Sequence, residues 1–272
     1  ASGLPVSINI GAGPAQYIAA ALPSAALPEG RSKIAAAAVL AGHPVALGRG
    51  PGGAPYFSDS QVVLHGRIVA RTLPEAGAAG HSMPEFLGCM GDAQAALPVV
   101  EVTHVVLRRN PIYQTLLGPG REQSEIQALG AEIALLARLP RYDGMEVVDA
   151  HAPSAGGGLL QLALQVRGRP SPSSMERLCA DVLRLAPLAK FIQVVDEDVD
   201  IHNPEDLWWA LITRSQFNVD ARLHTGQRGI PVDPSQRAAY WCGAQGHGQT
   251  TRVFLDCTVP PGQRADFARC FE

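Results

Sequence analysis

The stretch that decides the fold is Lys190–Arg214, KFIQVVDEDVDIHNPEDLWWALITR, in which an apolar run precedes an acidic cluster and an amphipathic segment. The run at residues 191–195 is rich in branched apolar side chains and predicts a buried strand. Asn203 is a favourable helix N-cap, and Pro204 suits the first helical turn. The stretch therefore predicts a strand, an acidic turn at residues 196–200 and a helix, the geometry on which α/β proteins carry their sites.

The composition of the 272 residues is that of a globular protein with one large domain or two small ones. Hydrophobic residues make up 46% of the chain, which is ample for a core, and the net charge is −3. That charge gives no signature for nucleic acid or membrane surfaces, and no apolar stretch reaches membrane-spanning length. The N-terminus lacks a signal-peptide pattern, and the five cysteines form no CxxC pair. We therefore expect a cytoplasmic protein with reduced thiols that binds neither nucleic acid nor membrane.

The first part of the chain has a β-rich pattern with two short helices. A stretch at residues 72–91, which contains His81, Glu85 and Cys89, is long and irregular. A loop of that length inside a compact domain is usually functional or disordered. Gly66 is a plausible β-bulge within its strand. The predicted strands cover residues 4–10, 45–47, 61–70, 99–108 and 112–117, and the predicted helices cover residues 15–22 and 33–40.

The second part of the chain alternates helices with strands, which indicates an α/β layer. Its helices are predicted at residues 122–139 and 173–185, with Ser173 or Ser174 as the cap of the second. Strands are predicted at residues 145–150 and 159–166, before the Lys190–Arg214 stretch. After residue 212 the pattern is polar and irregular until a last short strand at residues 251–255. A boundary near residues 118–120 gives two domains, 1–118 and 119–272.

Five segments together resemble the UbiD family of decarboxylases, and their order along the chain matches that of the family. The strongest is the Lys190–Arg214 stretch, down to its terminal Ala-Leu-Ile-Thr-Arg. The resemblance spans nearly the whole sequence, and five motifs in sequence are hard to obtain by chance. The other four are Ile8–Ala15 with the alanine-rich helix and Leu27–Gly30, then Val62–Gly66, then Arg109–Thr115 with Gly118-Pro119, and finally Leu255–Thr258 leading to Phe267–Arg269.

The resemblance implies an α+β fold, with a partial split β-barrel of the FMN-binding type followed by a C-terminal α/β domain. Family members remove or add CO2 on aromatic or α,β-unsaturated acids, using prenylated FMN as the electron sink that side chains lack. The matched segments begin inside the middle domain of that family. The family's N-terminal domain and the first half of its barrel, which carries the Asn and His ligands of a divalent metal, have no counterpart in these residues. We therefore expect no metal ligands here.

The resemblance also assigns candidate site residues, several of which depart from the family pattern. The family's metal-binding glutamate aligns with Lys33, a cation that cannot ligate a metal and is expected to pair with the flavin phosphate. Of two acids that move protons in the family, the second aligns with Glu85 and the first with Gly80, next to His81. A phosphate-contacting lysine of the family aligns with Arg252. The expected catalytic residues are thus Glu85 and His81, and the expected cofactor-binding residues are Arg252 and Lys33.

Three candidates have both a functional and a simpler interpretation: Glu85, the acids at residues 196–200, and Arg214. Glu85 is either a general acid that protonates the carbon losing CO2 or a solvated loop carboxylate. The acids at residues 196–200 bind a cation or, in the interpretation we favour, orient the following helix and pair with nearby arginines. Arg214 is either a cation suited to the helix end or a clamp for a substrate carboxylate.

Three functions are compatible with the sequence. The first is a UbiD-type carboxy-lyase, working alone or as a subunit of a larger enzyme on a small carboxylic acid. The second is a non-catalytic assembly or binding subunit, and the third is a cofactor-independent enzyme that reuses the pocket. Half a barrel leaves open strand edges, so we expect a homo-oligomer or a hetero-oligomer with a chain that supplies the missing half, through strands near residues 62–69 or 99–107.

Overall fold

The computed structural model describes residues 3–75, 83–91, 93–230, 232–236, 249–260 and 262–270. Its contacts divide the chain into two compact units. Unit 1 comprises Ala1–Ala21 and Glu29–Gln123, and unit 2 comprises Leu22–Pro28 and Ser124–Glu272. Within the described residues, no helix combines the length and apolarity that a membrane span requires.

Unit 1 is built around a three-stranded antiparallel sheet in the order β1-β4-β7, with two small hairpins, β2–β3 and β5–β6. Its strands are β1 (Leu4–Ile10), β2 (Leu47–Arg49), β3 (Pro55–Phe57), β4 (Val62–Leu73), β5 (Met83–Pro84), β6 (Met90–Gly91) and β7 (Leu97–Leu107), and its helices are α1 (Pro14–Ala21) and α2 (Lys33–Ala41). The three long strands do not close into a barrel within the described residues, in keeping with a partial split barrel.

Two local features of unit 1 follow from single residues. The register of β4 against β7 shifts between His65 and Gly66, but the extra residue is Thr103 on β7, so the irregularity lies opposite Gly66 and not within β4 as predicted. A side chain at Gly66 would collide with the carbonyl of Glu101 on β7, which is why glycine stands there. The predicted extension of the β pattern over residues 112–117 is wrong, because these residues form no regular structure. Asn110 adopts a left-handed φ of 57° and Pro111 has no N–H to donate, so the ladder ends before them.

Unit 2 is a five-stranded mixed sheet in the order β11-β12-β10-β9-β8. The three inner strands are parallel to one another, and both edge strands run antiparallel to their neighbours. The strands are β8 (Met145–His151), β9 (Gln161–Gly168), β10 (Phe191–Asp196), β11 (Ala221–Arg228) and β12 (Gln249–Cys257), and the helices are α3 (Arg121–Arg138), α4 (Pro172–Leu185), α5 (Pro204–Arg214) and the short α6 (Phe217–Asp220).

The two faces of this sheet carry separate cores because side chains alternate along each strand. On one face Leu164 and Val194 pack with residues of α3 and α4, including Leu135. On the other face Ala163 and Val195 pack with residues of α5. The α/β layer predicted for the second part is confirmed.

Two details of unit 2 differ from the sequence-based expectation. Helix α4 is capped by Ser171, whose Oγ accepts the N–H of Ser174 at 3.2 Å, and not by Ser173 or Ser174. The stretch after residue 212 also contains β11, which the sequence did not predict. The polar edge strand β11, ARLHTGQR, pairs with β12 and lacks the apolar alternation of a half-buried strand.

The Lys190–Arg214 stretch folds as expected, since β10 runs into an acidic turn and then into α5. The side chain of Asn203 accepts the N–H of Glu205 at 3.0 Å, which confirms the predicted cap. Asp206 accepts the N–H of Asp200 at 2.7 Å, and Asp200 in turn accepts the N–H of His202 at 2.9 Å. These acids bond the backbone of the corner itself, which favours the interpretation that they orient the helix.

Candidate active site

Glu85 lies on the short loop of the β5–β6 hairpin in unit 1. Its N–H donates to the carbonyl of Cys89 at 2.9 Å, and the N–H of Gly88 donates to the Glu85 carbonyl at 2.9 Å. Gly88 has a φ of 78°, a left-handed conformation that favours glycine at this turn. The backbone that carries Glu85 is therefore held in a tight loop.

The side chain of Glu85 is half-buried and lies over Gly91 of β6. A Cβ atom at Gly91 would stand 2.5 Å from Glu85 Cγ, so only glycine leaves room for the carboxylate there. Among the described residues no donor bonds this carboxylate. A positioned carboxyl group without a fixed partner is able to exchange a proton with a bound molecule.

His81 lies outside the described residues, so its relation to Glu85 stays a prediction.

Lys33 is the first residue of α2 and follows the N-cap Ser32, whose Oγ accepts the N–H of Ala35 at 3.2 Å. Its Nζ donates to the carbonyl of Ala20 at 2.6 Å, in the last turn of α1. A cation suits the negative end of a helix dipole, so Lys33 links α1 to α2. No ion pair joins Lys33 to Glu85 within the part of the chain that the structure describes. The phosphate-binding role of Lys33 stays a prediction.

Arg252 belongs to β12 in unit 2 and is almost fully buried. Its guanidinium donates to the carbonyls of Leu183 at 3.3 Å, Arg228 at 3.2 Å and Pro187. Burial lowers its pKa. These bonds occupy both terminal nitrogens with carbonyls of α4, of the segment after it and of β11, so a contact with a phosphate would require breaking them. The cofactor-binding role of Arg252 therefore stays a prediction, and its observed bonds are structural.

The structure adds a site that the sequence-based reasoning missed, around His65 on β4. This buried imidazole lies at a cavity of about 210 Å³ together with Ser7, whose Oγ is 3.0 Å from His65 Nδ1. The Tyr56 ring meets the imidazole edge-on, with centroids 5.1 Å apart. A side chain at Gly50 would collide with the imidazole, so the glycine-rich loop is needed here. A histidine inside an apolar strand and directly before a glycine was the signal that could have found it.

The cavity around His65 is too small for a flavin. Pockets for ligands of drug size span roughly 300–1,000 Å³, whereas this cavity has about 210 Å³. In the described part of the chain, no three His, Cys, Asp or Glu side chains converge on a position for a metal ion. This cavity alone therefore does not provide a flavin site, and its size suits a small molecule.

Acidic residues of the turn at residues 196–200 bind an arginine of the same unit. Arg214 has a side chain only 1% exposed, and its two terminal nitrogens donate to the Asp198 carboxylate at 2.9 and 2.5 Å. These bonds from Arg214 lower the pKa of Asp198. Asp196 lies 3.6 Å from Arg214, and burial raises the pKa of Asp196. The guanidinium is already paired, which speaks against its use as a clamp for a substrate.

Two family models match consecutive parts of the chain. The 3-octaprenyl-4-hydroxybenzoate carboxy-lyase Rift-related domain matches residues 1–121, and the C-terminal domain of the same carboxy-lyase matches residues 125–257. The gallate decarboxylase of Lactiplantibacillus plantarum is 31% identical over 98% of this chain and 56% of its own length. The chain thus spans about half the length of the curated relatives it matches.

Solved structures show the same relationship. Apo 3,4-dihydroxybenzoic acid decarboxylase from Klebsiella pneumoniae matches 100% of this chain and 57% of its own chain, with 33% identity and a TM-score of 0.84. The UbiD-class enzyme HmfF from Pelotomaculum thermopropionicum, solved in complex with FMN, shares the fold with 24% identity and a TM-score of 0.81, over 99% of this chain and 57% of that one.

Proposed function

The chain belongs to the UbiD family of carboxy-lyases, and from this we propose that it takes part in the non-oxidative, reversible decarboxylation of an aromatic carboxylic acid. The observation that carries the proposal is the match over the whole chain to a dihydroxybenzoic acid decarboxylase. A second match of similar extent is to a gallate decarboxylase. Both substrates are phenolic acids, so a hydroxylated benzoic acid is the substrate class we propose.

The reaction requires a proton donor. When the bond between the ring carbon and the carboxylate breaks, CO2 leaves and the carbon that loses it gains a proton. We assign Glu85 to this step, because its half-buried carboxyl group is positioned over Gly91 and no described donor bonds it. Glu85 would then recover a proton from water.

The cofactor we propose is prenylated FMN, which supplies the electron sink for such a reaction when it is bound. The cavity around His65 does not accommodate it, since its volume of about 210 Å³ is below that of a flavin pocket. The proposal requires that further residues complete the binding site.

The open edge of β7 supports completion by another polypeptide segment. Within the described residues β7 pairs only with β4, and its other edge is unpaired. Val105 and Val106 point to opposite faces and are 57% and 48% exposed. A long, apolar, unpaired edge is normally covered in a folded protein. We propose that β7 is covered by strands of a partner, in a homo-oligomer or a hetero-oligomer.

The same edge also favours a second candidate, a non-catalytic subunit that completes another chain. The two functions are separated by co-expression with a flavin prenyltransferase, followed by a visible spectrum of the purified protein and any co-purifying chain. Bound flavin with turnover of a hydroxylated benzoic acid supports the carboxy-lyase. A stable complex in which Glu85→Gln leaves turnover unchanged supports the assembly subunit.

Oligomerisation has its own test. Light scattering should report an oligomer at micromolar concentration, and Val105→Lys should shift it towards monomer, because a charge on this face disfavours pairing. Val39→Lys is a matched control, since Val39 is 81% exposed on α2. A monomeric wild-type protein would contradict the proposed coverage of β7.

A further inference from the structure

Two histidines of unit 2 meet at the edge of its sheet, each joined to a carboxylate. His151 is the last residue of β8, and His202 lies in the turn between β10 and α5. Their ring centroids are 4.5 Å apart, with the planes inclined at 47°. His151 Nδ1 is 3.1 Å from Glu132 Oε1, and His202 Nε2 is 3.2 Å from Asp149 Oδ2. The pair therefore consists of two carboxylate-bound imidazoles in contact.

The backbone explains why these side chains come together. Asp149 and His151 are two residues apart on β8, so they point to the same side of the strand. His202 is held over them by its turn, where its N–H donates to Asp200 at 2.9 Å. Glu132 comes from α3, and its Oε1 also accepts the N–H of Ala152 at 2.8 Å. Three separate elements thus fix the cluster.

Each imidazole uses only one ring nitrogen in these contacts. Within the described residues, His151 Nε2 and His202 Nδ1 have no hydrogen-bond partner. A carboxylate that accepts the N–H of one ring nitrogen leaves the other nitrogen as a lone-pair donor, which is the tautomer that binds metals. The carboxylates are anchored as well, since Asp149 Oδ1 accepts the N–H of Ala150 at 2.8 Å. Anchored carboxylates behind histidine ligands are the usual outer shell of a metal site.

The ring separation suits two imidazoles on one ion. With a metal–nitrogen distance of 2.0–2.1 Å, the ion stands about 3.2 Å from each ring centroid, so adjacent ligands at about 90° place their centroids about 4.5 Å apart. The observed distance is 4.5 Å. Adjacent imidazoles at right angles are found in tetragonal sites, which Cu²⁺ and Ni²⁺ prefer.

We propose that His151 and His202 form a binding site for a divalent transition-metal ion of the Cu²⁺ and Ni²⁺ class. Glu132 and Asp149 act as positioning residues that fix the two tautomers. With two protein ligands, water or a small ligand occupies the remaining positions. The exposed fractions of the histidine side chains, 23% for His151 and 57% for His202, leave a route for an ion from solvent.

The test uses the whole chain and Cu²⁺ or Ni²⁺ alone, by calorimetric titration and by electron paramagnetic resonance of the Cu²⁺ form. We expect a saturable site whose Cu²⁺ spectrum shows coupling to two nitrogens. His202→Gln should weaken the metal affinity at least tenfold, because it removes one of the two nitrogen ligands. The His202 side chain is 57% exposed, so we expect its replacement to leave the fold intact. His43→Gln is the matched control, since His43 is an exposed histidine on another loop, bonded to the Pro44 carbonyl at 3.1 Å.

A second variant tests the outer shell. Glu132→Gln keeps an oxygen that accepts the Ala152 N–H but removes the charge behind His151, and loss of such a partner typically weakens metal affinity by about 10- to 100-fold. An unchanged Cu²⁺ affinity in His202→Gln, or an equal loss in His43→Gln, would overturn the proposal. So would a Cu²⁺ spectrum without two coupled nitrogens in the wild-type protein.

Discussion

Replacement of Arg214 by methionine should destabilise unit 2 by about 3 kcal/mol at neutral pH. The guanidinium is 1% exposed and lies 3.6 Å from Asp196, whose side chain is 6% exposed. At this distance a charge pair with an effective dielectric constant near 20 is worth about 4 kcal/mol. The pair with Asp198 adds at most about 1 kcal/mol, because the Asp198 side chain is 51% exposed and water screens it.

Two further effects adjust this figure. The guanidinium stands 4.8 Å from the Trp209 ring centroid, a contact worth roughly 0.5–1 kcal/mol. Methionine recovers roughly 1.5–3 kcal/mol, since burying this apolar side chain is favourable, and this brings the net loss to about 3 kcal/mol. The net value agrees with the roughly 3–5 kcal/mol lost when one partner of a buried ion pair is removed.

The loss should depend on pH in a defined direction. Arg214 lowers the pKa of Asp198, so this contribution is present above the ordinary aspartate pKa and disappears as pH falls through the lowered value. Burial already raises the pKa of Asp196, and removal of the cation raises it further. Protonation of both acids relieves the variant, so its deficit should shrink below about pH 4.

Urea unfolding followed by tryptophan fluorescence, at about pH 7 and about pH 3, measures both effects. Arg167→Met is the matched control, because Arg167 and Glu197 form a 2.8 Å pair with side chains 58% and 41% exposed. Its loss should be much smaller than that of Arg214→Met, because water screens an exposed ion pair. A loss below 1 kcal/mol in Arg214→Met, or a deficit that does not shrink at low pH, would refute this reasoning.

Three more changes have defined outcomes. Burial opposes ionisation of Asp233, but hydrogen bonds from Lys190, Ser235 and Gln236 outweigh it and lower the pKa of Asp233 to about 2. The stability of the wild-type protein should therefore fall as pH drops from about 4 towards 2. In acid unfolding, the Lys190→Met variant should show a smaller fall in stability. Leu164→Ala should cost about 2–5 kcal/mol in thermal or urea unfolding, because this core side chain is fully buried; a cost below 1 kcal/mol would mean that the core is not packed as described. Glu85→Gln should lower turnover of a hydroxylated benzoic acid by about 10²- to 10⁴-fold. Glu101 is an exposed carboxylate on β7, and Glu101→Gln should leave turnover unchanged. Equal effects of the two variants would show that Glu85 takes no part in the reaction.

Long elements with a clear period were predictable from the sequence. Helix α3 and strands β4 and β10 have strong apolar patterns, and Asn203 with Pro204 marked the start of α5. Strand β11 was not predictable, because its pairing with β12 sets its conformation while its own side chains are polar.

The candidate site was less accessible to sequence reasoning. Family alignment pointed to Glu85, but local patterns could not show that Gly91 makes room for its carboxylate. Arg252 has the charge expected of a phosphate ligand, yet its hydrogen bonds go to three carbonyls that are remote in sequence. His65 was missed because its partners Ser7 and Gly50 are brought to it only by strand pairing. Such contacts join segments that are distant in sequence, and the hydrophobic periodicity of the sequence does not encode them.

CO2 release from a hydroxylated benzoic acid is the decisive measurement of the proposed decarboxylation. The protein is co-expressed with a flavin prenyltransferase and purified together with any chain that accompanies it. We expect bound flavin in the visible spectrum and CO2 release matched by formation of the corresponding phenol. Absence of both flavin and phenol, in a protein whose folding is confirmed by circular dichroism, would contradict it.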